Sequence, residues 1–354
     1  MNGDHGIAHS ARKYFVTGAA GFVGTRLVRV LIEQGHSVRA LYHRTRLAAP
    51  PGFTWNENDS CASDRLELVQ GDVTDCESLR HGMAGCTHVF HVAAYARNWA
   101  ADPTVFTEQN VDGTRNVFAV ARELRVQRAV WTSSIVTFGP TRPGEVGDED
   151  MPRTTDRYFT EYEASKAAAE REVLALAAEG FPVVIVNPTR VYGPGHLTEG
   201  NALARLIDDY DRGRVPMLLN RGVNVGNYVL VDDVIEGHLL AMEHGRVGQR
   251  YILGGENASL REFFRTIDRV SGKRHIQIPI MGLSPLLFAW CQKKRAEWFG
   301  VYPRITPGWV RTFLADWAYC SDKAQRELGY VPTPLEQGVR ITYEWLLRAR
   351  KELA

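Results

Sequence analysis

The chain has 354 residues, of which 44% are hydrophobic and 23% charged, so it can bury an ordinary globular core and is not a disordered chain. Its length exceeds that of one small domain and fits a large α/β domain with an appended lobe. The formal net charge is +1, and no basic stripe is interleaved with aromatic residues, which argues against a nucleic-acid partner.

The first half of the chain alternates between short apolar runs and segments with helical spacing. The runs predict strands at 13–17, 37–42, 66–70, 87–92, 128–133 and 182–186. The spacing predicts helices at 21–34, 105–124 and 161–178. Strands that alternate with helices are typical of a parallel, doubly wound α/β sheet, which we therefore predict for residues 13–190.

The pattern changes after Pro188, where glycine and proline become frequent. For residues 191–354 we predict a smaller, mixed lobe with irregular connections. Two of its segments, 232–244 and 250–253, have the apolar pattern of elements that return to the main sheet.

The longest apolar stretch covers residues 278–290 and is interrupted by two prolines. It is too short to span a bilayer, and we predict a buried helix of the C-terminal lobe. Lys293, Lys294 and Arg295 follow it, so contact with a membrane surface remains an alternative.

Cysteine usage and the N-terminal segment indicate a cytoplasmic protein. The five cysteines contain no C-x-x-C pair, which argues against a disulfide framework and a structural zinc site. His88 and His91 would point to opposite faces of a strand, so we predict no metal site. Residues 1–12 lack the apolar core of a secretory signal.

A glycine-rich turn, Thr-Gly-Ala-Ala-Gly-Phe-Val-Gly at 17–24, joins the first predicted strand to the first predicted helix. Glycine permits a tight turn, close approach of backbone to a pyrophosphate and close packing of helix on strand. The helix N-terminus would then present free N–H groups to the phosphates. The G-x-x-G-x-x-G spacing differs from the general G-x-G-x-x-G fingerprint, and a turn without a ligand is the alternative. The position of the turn predicts a Rossmann domain that binds a dinucleotide.

The residues at the end of the second strand indicate which dinucleotide the chain binds. An acidic residue that holds a ribose 2′-hydroxyl is expected there, but no Asp or Glu occurs before Glu57. Arg44 and Arg46 could instead bind a 2′-phosphate, which favours NADP over NAD; a solvated loop is the alternative. Asp72, after the third strand, could either accept a hydrogen bond from adenine or cap the next helix.

Tyr162 and Lys166 lie four residues apart on a predicted helix and therefore share one face. An ammonium beside a phenol lowers the phenol's pKa, and such a tyrosine can exchange a proton with a substrate oxygen. Lys166 is the only lysine between Lys13 and Lys273, and its ammonium could also bind the hydroxyls of a nicotinamide ribose.

Two further segments end predicted strands at the carboxyl edge of the sheet, where doubly wound folds bind ligands. A serine of the Trp-Thr-Ser-Ser sequence at 131–134 could hydrogen-bond a carbonyl or a developing alkoxide, although serine and threonine also form simple turns. Tyr95, Arg97 and Trp99 could line a substrate pocket with aromatic walls, or only pack within a loop.

Six motifs occur in the order of a known family: TGAAGFVG (17–24), HVAA (91–94), NVDGT (110–114), TSS (132–134), YEASK (162–166) and NPTRVYGPG (187–195). Together they resemble the extended short-chain dehydrogenase/reductases, also called the NAD-dependent epimerase/dehydratase family, over residues 13 to about 330. The stretches HVAAYARNWAADP (91–103) and YILGGENASL (251–260) resemble its dihydroflavonol reductase-like branch.

This resemblance implies roles for individual residues. The catalytic triad would be Ser134, Tyr162 and Lys166, with Ser134 preferred to Ser133 because it lies five residues before Gly139. The cofactor would contact Gly18, Gly21, Phe22, Val23, Arg44, Asp72, Val73, Ala93, Thr132, Tyr162, Lys166, Asn187 and Val191. The substrate would contact Tyr95, Trp99 and Ser134, with the C-terminal lobe completing its site.

The chain departs from sugar-nucleotide epimerases at the segment 225–228, Val-Gly-Asn-Tyr, which lacks the arginine that binds a diphosphate in those enzymes. Our leading hypothesis is therefore an NADPH-dependent reductase of a ketone or aldehyde on a small apolar or aromatic substrate. The alternatives are an NAD(P)-dependent nucleotide-sugar epimerase or dehydratase and, third, a non-catalytic NADP-binding regulator. A homodimer is compatible with all three.

Overall fold

The computed structural model describes residues 12–45, 47, 64–215, 217–280 and 282–352. The N-terminal segment up to residue 11, Arg46, Glu57 and Cys61 lie outside these residues. The described strands are β1 (Lys13–Thr17), β2 (Ser37–Tyr42), β3 (Leu66–Gln70), β4 (His88–His91), β5 (Arg128–Thr132), β6 (Val183–Pro188), β7 (Arg190–Tyr192), β8 (Met217–Leu219), β9 (Val225–Leu230), β10 (Arg250–Leu253), β11 (Glu256–Ser259) and β12 (Ile278–Ile280).

The described α-helices follow the same chain order. They are α1 (Phe22–Glu33), α2 (Cys76–Met83), α3 (Thr104–Thr107), α4 (Gly113–Glu123), α5 (Glu161–Ala178), α6 (Ala202–Asp211), α7 (Val231–His244), α8 (Leu260–Ser271), α9 (Ser284–Phe299), α10 (Pro307–Leu314), α11 (Asp322–Leu328) and α12 (Leu335–Glu352).

The centre of the molecule is a seven-stranded sheet in the order β10-β6-β5-β4-β1-β2-β3. All neighbouring strands pair in parallel. Tyr14 and Val16 of β1 belong to the core on one face, and Phe15 belongs to the core on the other. Because both faces are covered, the inner strands β1, β4, β5 and β6 have buried, largely apolar centres, and this is why they were visible in the sequence. The predicted doubly wound α/β fold is confirmed.

The predicted helix 105–124 is present but is not a regular α-helix. Between α3 and α4 the chain forms a π-helical turn, Glu108–Asp112. Asn110 in this turn is buried, and its side chain bonds to two other segments of the chain, so tertiary contacts replace regular helical geometry there.

The C-terminal lobe contains a sheet in the order β11-β9-β7 and a two-stranded pair, β12 and β8. Only Thr189 separates β6 of the central sheet from β7 of the lobe. β10 returns to pair with β6, and α7 packs against β5 and β6. The lobe is therefore joined to the main sheet by several short connections.

The prediction of a buried helix at 278–290 is wrong. This stretch forms β12 and the first part of α9, and only Pro285, Ala289 and Ala296 of α9 are buried. The helix packs against the protein through its small residues and leaves its large apolar ones exposed, an arrangement that an apolar run does not reveal. None of the described helices combines the length and apolarity needed to cross a membrane.

We predict that Gly24→Ala destabilises the fold by about 3 kcal/mol, because a backbone carbonyl leaves no room for a methyl group. A Cβ at Gly24 would lie 2.1 Å from the Gly18 carbonyl oxygen. Gly200→Ala is the matched control, since a Cβ there would meet no atom closer than 3.7 Å. Urea unfolding measures both variants, and equal midpoints would contradict the prediction.

Candidate active site

The strand order reverses between β1 and β4, and a crevice opens at the carboxyl ends of these two strands. Gly18 follows β1 with φ +66°, and a Cβ on it would lie 2.6 Å from the Ala93 nitrogen after β4. The Ala93 N–H also donates to Thr17 Oγ1 at 3.2 Å. The two strand ends therefore meet through backbone, and only glycine at position 18 permits this approach.

The N-terminus of α1 faces this crevice. Gly21 is the N-cap residue, no side chain caps the helix, and its first turn contains no acidic residue. Gly21, Phe22, Val23 and Gly24 all line the crevice. Uncapped N–H groups and the positive end of the helix dipole form a site suited to a phosphate.

The crevice widens into a cleft of about 900 Å³, large enough for an extended ligand. Most of the predicted site residues line it: Gly18, Gly21, Phe22, Val23, Arg44, Asp72, Val73, Ala93, Tyr95, Thr132, Ser134, Tyr162, Lys166 and Val191. Two predicted residues do not. Asn187 lies behind the wall of the cleft, and Trp99 lines a neighbouring cavity of about 370 Å³.

The end of β2 supplies basic rather than acidic groups. Arg44 is exposed at the rim of the cleft and has no ion-pair partner within the described part of the chain. His43, which the sequence did not single out, lies with Nε2 3.2 Å from Asp72 Oδ2. A free guanidinium at this point matches the chemistry of a ribose 2′-phosphate.

Asp72 is not the cap of the helix that follows it. The N-cap of α2 is Asp75, whose carboxylate accepts from the Glu77 N–H at 2.9 Å. Asp72 instead accepts from the Thr74 N–H at 2.9 Å and lines the cleft. Of the two alternatives left open by the sequence, the capping role is therefore wrong.

Tyr162 is placed by the start of α5. The Thr160 hydroxyl accepts from the Glu163 N–H at 3.1 Å, and the Glu163 carboxylate accepts from the Phe159 N–H at 2.8 Å, which fixes the first turn. Burial raises the pKa of Tyr162 to about 12, and a hydrogen bond with Ser134 partly opposes this shift. The phenol is therefore protonated at neutral pH and joined to the predicted catalytic serine.

Lys166 is held below Tyr162 by β5. Its Nζ donates to the Thr132 carbonyl oxygen at 2.7 Å and lies 4.3 Å from the centre of the Trp131 ring. Burial lowers the pKa of Lys166 to about 7, with Glu170 opposing the shift. Because the amine is directed to Thr132, it does not lower the pKa of Tyr162 in this structure, contrary to the sequence-based expectation.

A buried carboxylate behind the cleft supports the serine segment, and sequence reasoning missed it. Glu170 accepts hydrogen bonds from Ser133, from Thr137 at 3.0 Å and from Asn187 at 2.8 Å. Asn187 also donates to the Ser134 carbonyl oxygen at 3.2 Å. The signal was available, because Glu170 follows Lys166 by four residues and so shares its helix face.

Asn110 is a second residue without a role in the sequence reasoning. Its Oδ1 accepts from the Tyr95 N–H at 2.7 Å, and its Nδ2 donates to Ser165 Oγ at 2.9 Å. The π-helical turn thus connects the loop after β4 to the helix that carries Tyr162 and Lys166.

The loop after β4 carries two aromatic residues, Tyr95 and Trp99, that pack against other parts of the chain. Tyr95 packs edge-to-face on Phe106 with ring centres 5.0 Å apart, and the Arg97 guanidinium lies 5.5 Å from the centre of the Tyr95 ring. Trp99 packs edge-to-face on Tyr302 at 5.8 Å. The loop after β4 therefore contacts the segment after α9, so both parts of the chain border this region.

A parallel sheet with a dinucleotide-type cleft at its reversal point and a Tyr–Lys pair beside it defines an NAD(P)-dependent oxidoreductase that acts on hydroxyl or carbonyl groups. The chain matches the model of the NAD dependent epimerase/dehydratase family over residues 14–254. It therefore belongs to this family, and the resemblance found from its motifs is confirmed.

Relatives and a solved structure match over nearly the whole chain. The chain is 34% identical to a Synechocystis sp. protein provisionally named dihydroflavonol 4-reductase, over 98% of this chain and 97% of the relative. It is 32% identical to 4-hydroxy-2-methyl-3-oxo-4-farnesyl-3,4-dihydroquinoline-1-oxide ketoreductase of Stigmatella aurantiaca, over 89% of this chain and 91% of the relative. The crystal structure of gox2253 matches with a TM-score of 0.77 and 34% identity, covering 95% of this chain and 98% of that one.

Three buried histidines predict acid sensitivity. Burial lowers the pKa of His91 to about 3 and of His88 and His238 to about 4. In the unfolded chain these groups bind protons near pH 6.5, so the unfolded state binds more protons as the pH falls below that value. We expect the free energy of unfolding to decrease progressively between about pH 6.5 and pH 4.

His238 provides the test of this pH dependence. Its Nδ1 donates to the Val234 carbonyl oxygen at 2.7 Å, so Nε2 accepts from the Thr132 hydroxyl at 2.8 Å and the ring is neutral. His238→Gln should reduce the loss of stability between about pH 7 and pH 5 in urea unfolding. His244→Gln, on the exposed end of the same helix, should leave the loss unchanged. Identical pH profiles for wild type and His238→Gln would refute the assignment.

Proposed function

We propose that this enzyme is an NADPH-dependent reductase that converts a ketone or aldehyde on a small apolar or aromatic substrate into an alcohol. The observation that carries the proposal is the position of Ser134, Tyr162 and Lys166 together at the wall of one cleft, with Tyr162 and Lys166 one turn apart on α5. A carbonyl that accepts a hydride develops negative charge on oxygen, and a neutral phenol can supply the proton that this oxygen requires.

The residues of the cleft fit the cofactor. The N-terminus of α1 with Gly18, Gly21, Phe22 and Val23 would hold the pyrophosphate, and the segment from Pro188 to Val191 would border the nicotinamide. Asp72 and Val73 would flank the adenine, and Ala93 the adenosine, with Arg44 at the 2′-phosphate. When bound, NADPH would supply the hydride that reduces the carbonyl carbon.

The chain's own residues would carry the proton. Tyr162 Oη would donate its proton to the carbonyl oxygen, and the Ser134 hydroxyl would hydrogen-bond the same oxygen and orient it. Lys166 lies one helical turn from Tyr162, and its amine would hydrogen-bond the hydroxyls of the nicotinamide ribose and so hold the cofactor beside the phenol. Thr132 would hold the Lys166 amine through its carbonyl oxygen. In alcohol oxidation the same side chains would act in the opposite direction, with Tyr162 accepting the proton.

Two observations favour an apolar carbonyl substrate over a nucleotide sugar. Tyr95 lines the same cleft as Ser134, and the Trp99–Tyr302 pair lies at the neighbouring cavity that contains Trp99. In the lobe, the Arg190 guanidinium lies 4.6 Å from the centre of the Phe313 ring and bonds to Tyr228 Oη at 3.3 Å rather than lining the cleft. The Stigmatella ketoreductase reported above supports this choice, because its name describes the reduction of a ketone on a farnesyl-substituted quinoline oxide.

We expect Tyr162→Phe to lower kcat for NADPH-dependent carbonyl reduction by about 10²- to 10⁴-fold, because the proton donor is lost. The measurement follows loss of NADPH absorbance with a panel of aromatic and aliphatic ketones and aldehydes. Tyr158→Phe is the control, since Tyr158 lies near α5 but its hydroxyl contacts Arg171 at 3.5 Å.

Two outcomes of this assay would refute the proposal. One is full turnover by a folded Tyr162→Phe variant. The other is tightly bound NAD that copurifies and turns over sugar nucleotides without net NADPH consumption, which would identify the epimerase or dehydratase alternative.

We expect Arg44→Asp to raise KM for NADPH at least about tenfold while leaving KM for NADH unchanged or lower, because a charge-assisted bond to the 2′-phosphate is replaced by repulsion. Arg65→Asp is the matched control, an exposed arginine that precedes β3 and lies outside the cleft. An equal effect on both cofactors would contradict a 2′-phosphate role for Arg44.

A further inference from the structure

The helix α9 exposes its large side chains and buries its small ones. Pro285, Ala289 and Ala296 are the buried residues, and they lie on one side of the helix. The opposite side, which we call the outward face, consists of Leu287, Cys291, Lys294 and Trp298, spaced at helical intervals. Leu287 is 62% exposed and Trp298 73% exposed. A soluble helix normally shows the reverse arrangement, with its large apolar residues directed to the core.

This helix and its flanks hold most of the exposed large apolar side chains among the described residues. Ten of the seventeen large apolar side chains that are exposed there lie between residues 276 and 302. All the exposed tryptophan and phenylalanine side chains among them are on α9: Phe288, Trp290, Trp298 and Phe299. Scattered exposed apolar residues need no explanation, but a contiguous cluster of this kind marks an interaction surface.

The same region has a strongly positive net charge, unlike the rest of the chain. Residues 272–304 contain six Lys or Arg and one Glu, a net charge of +5, whereas the whole chain has +1 and the remainder therefore −4. Arg274, Arg295 and Arg304 are exposed and form no ion pair with any described residue. The single acid, Glu297, is bound by Lys294 at 2.7 Å.

We propose that α9 is a membrane-docking surface that lies on a bilayer containing anionic lipids. Tryptophan, phenylalanine and leucine insert at the boundary of headgroups and acyl chains, and neighbouring lysine and arginine side chains bind anionic headgroups. Exposed aromatic residues on α9, together with unpaired cations on the helix (Arg295) and on its flanks (Arg274 and Arg304), match both parts of such a surface. The helix lies in the plane of the bilayer surface and does not cross it.

A second copy of the chain fits this surface poorly. A two-fold symmetric interface would place the segment of net charge +5 against its own copy. The only acid in the segment is already paired, so the repulsion would have no compensating carboxylates. Charge complementarity therefore selects an anionic surface rather than a dimer.

The position of α9 gives the docking a functional consequence, which rests on the proposed reductase activity. Lys293, Ala296 and Glu297, on the side away from the outward face, line the cavity of about 370 Å³ that also contains Trp99 and Phe106. Docking through α9 would place this cavity beside the lipid, and the loop that carries Trp99 lines both this cavity and the cleft. An apolar carbonyl compound dissolved in the bilayer could then reach the cleft without entering bulk water.

The test is flotation of the full-length protein with lipid vesicles, in the absence of cofactor and substrate. We expect binding to vesicles of phosphatidylcholine with phosphatidylglycerol, at least about tenfold weaker binding to phosphatidylcholine alone, and weakening by high salt. Leu287→Asp combined with Trp298→Asp should lower binding at least about tenfold, and Arg295→Glu should lower binding to the anionic vesicles only.

Matched controls distinguish binding through this surface from nonspecific binding of other exposed residues to lipid. Val331→Asp changes an apolar residue that is 80% exposed elsewhere, and Arg348→Glu reverses an exposed charge on α12; both should bind like wild type. Quenching of tryptophan fluorescence by brominated lipid, reduced in Trp298→Phe, provides a measurement on nearly unmodified protein.

Three results would overturn the proposal: no binding of wild type to anionic vesicles, undiminished binding of the folded double variant, or a lipid-free dimer that the double variant dissociates. The last would identify a second copy as the occupant. Because binding is measured without catalysis, and because the double variant should retain reductase activity on a water-soluble ketone, failure of docking and failure of the proposed function are distinguishable.

Discussion

The contact between the backbone of Gly18 and that of Ala93 is the constraint on which the active-site region depends. Strands β1 and β4 are neighbours in the sheet, and the chain leaves them at the same edge. Any side chain at position 18 would separate the two strand ends, because even a Cβ would lie 2.6 Å from the Ala93 nitrogen. Because the two strand ends lie this close together, the N-terminus of α1 faces the crevice from one side and the loop that carries Tyr95 begins on the other side. The end of α1 that is proposed to bind phosphate and the loop that carries Tyr95 thus both begin at this contact.

A second element of the site is a chain of polar contacts inside the protein. His238 fixes the Thr132 hydroxyl, and the carbonyl of the same residue holds the Lys166 amine. Each partner is buried or half-buried, so each bond is made in a region of low dielectric constant, where a missing partner would be costly. The position of the lysine is therefore determined by α7 and β5 as well as by its own helix.

Much of this could be predicted from the sequence, for reasons that are specific to each element. The inner strands of the central sheet are buried on both faces and so appear as apolar runs, and the Tyr162–Lys166 spacing follows from helical geometry alone. The orientation of α9 could not be predicted, because apolar residues occur on all its sides and only the sizes of the side chains distinguish them. The raised pKa of Tyr162 was also hidden, because the sequence does not show that the phenol is buried. The π-helical turn around Asn110 depends on its bonds to Tyr95 and Ser165, which are distant in the chain.

The one-residue connection between β6 and β7 limits how this enzyme can open. Thr189 is tied on both sides, since its N–H donates to Leu253 and its hydroxyl to Asn227. Hinge motion needs a few residues that are free to change their backbone angles, and this junction offers none. We therefore expect admission of substrate and release of product to use displacement of surface segments, such as the one that carries Trp99, rather than rotation about this junction.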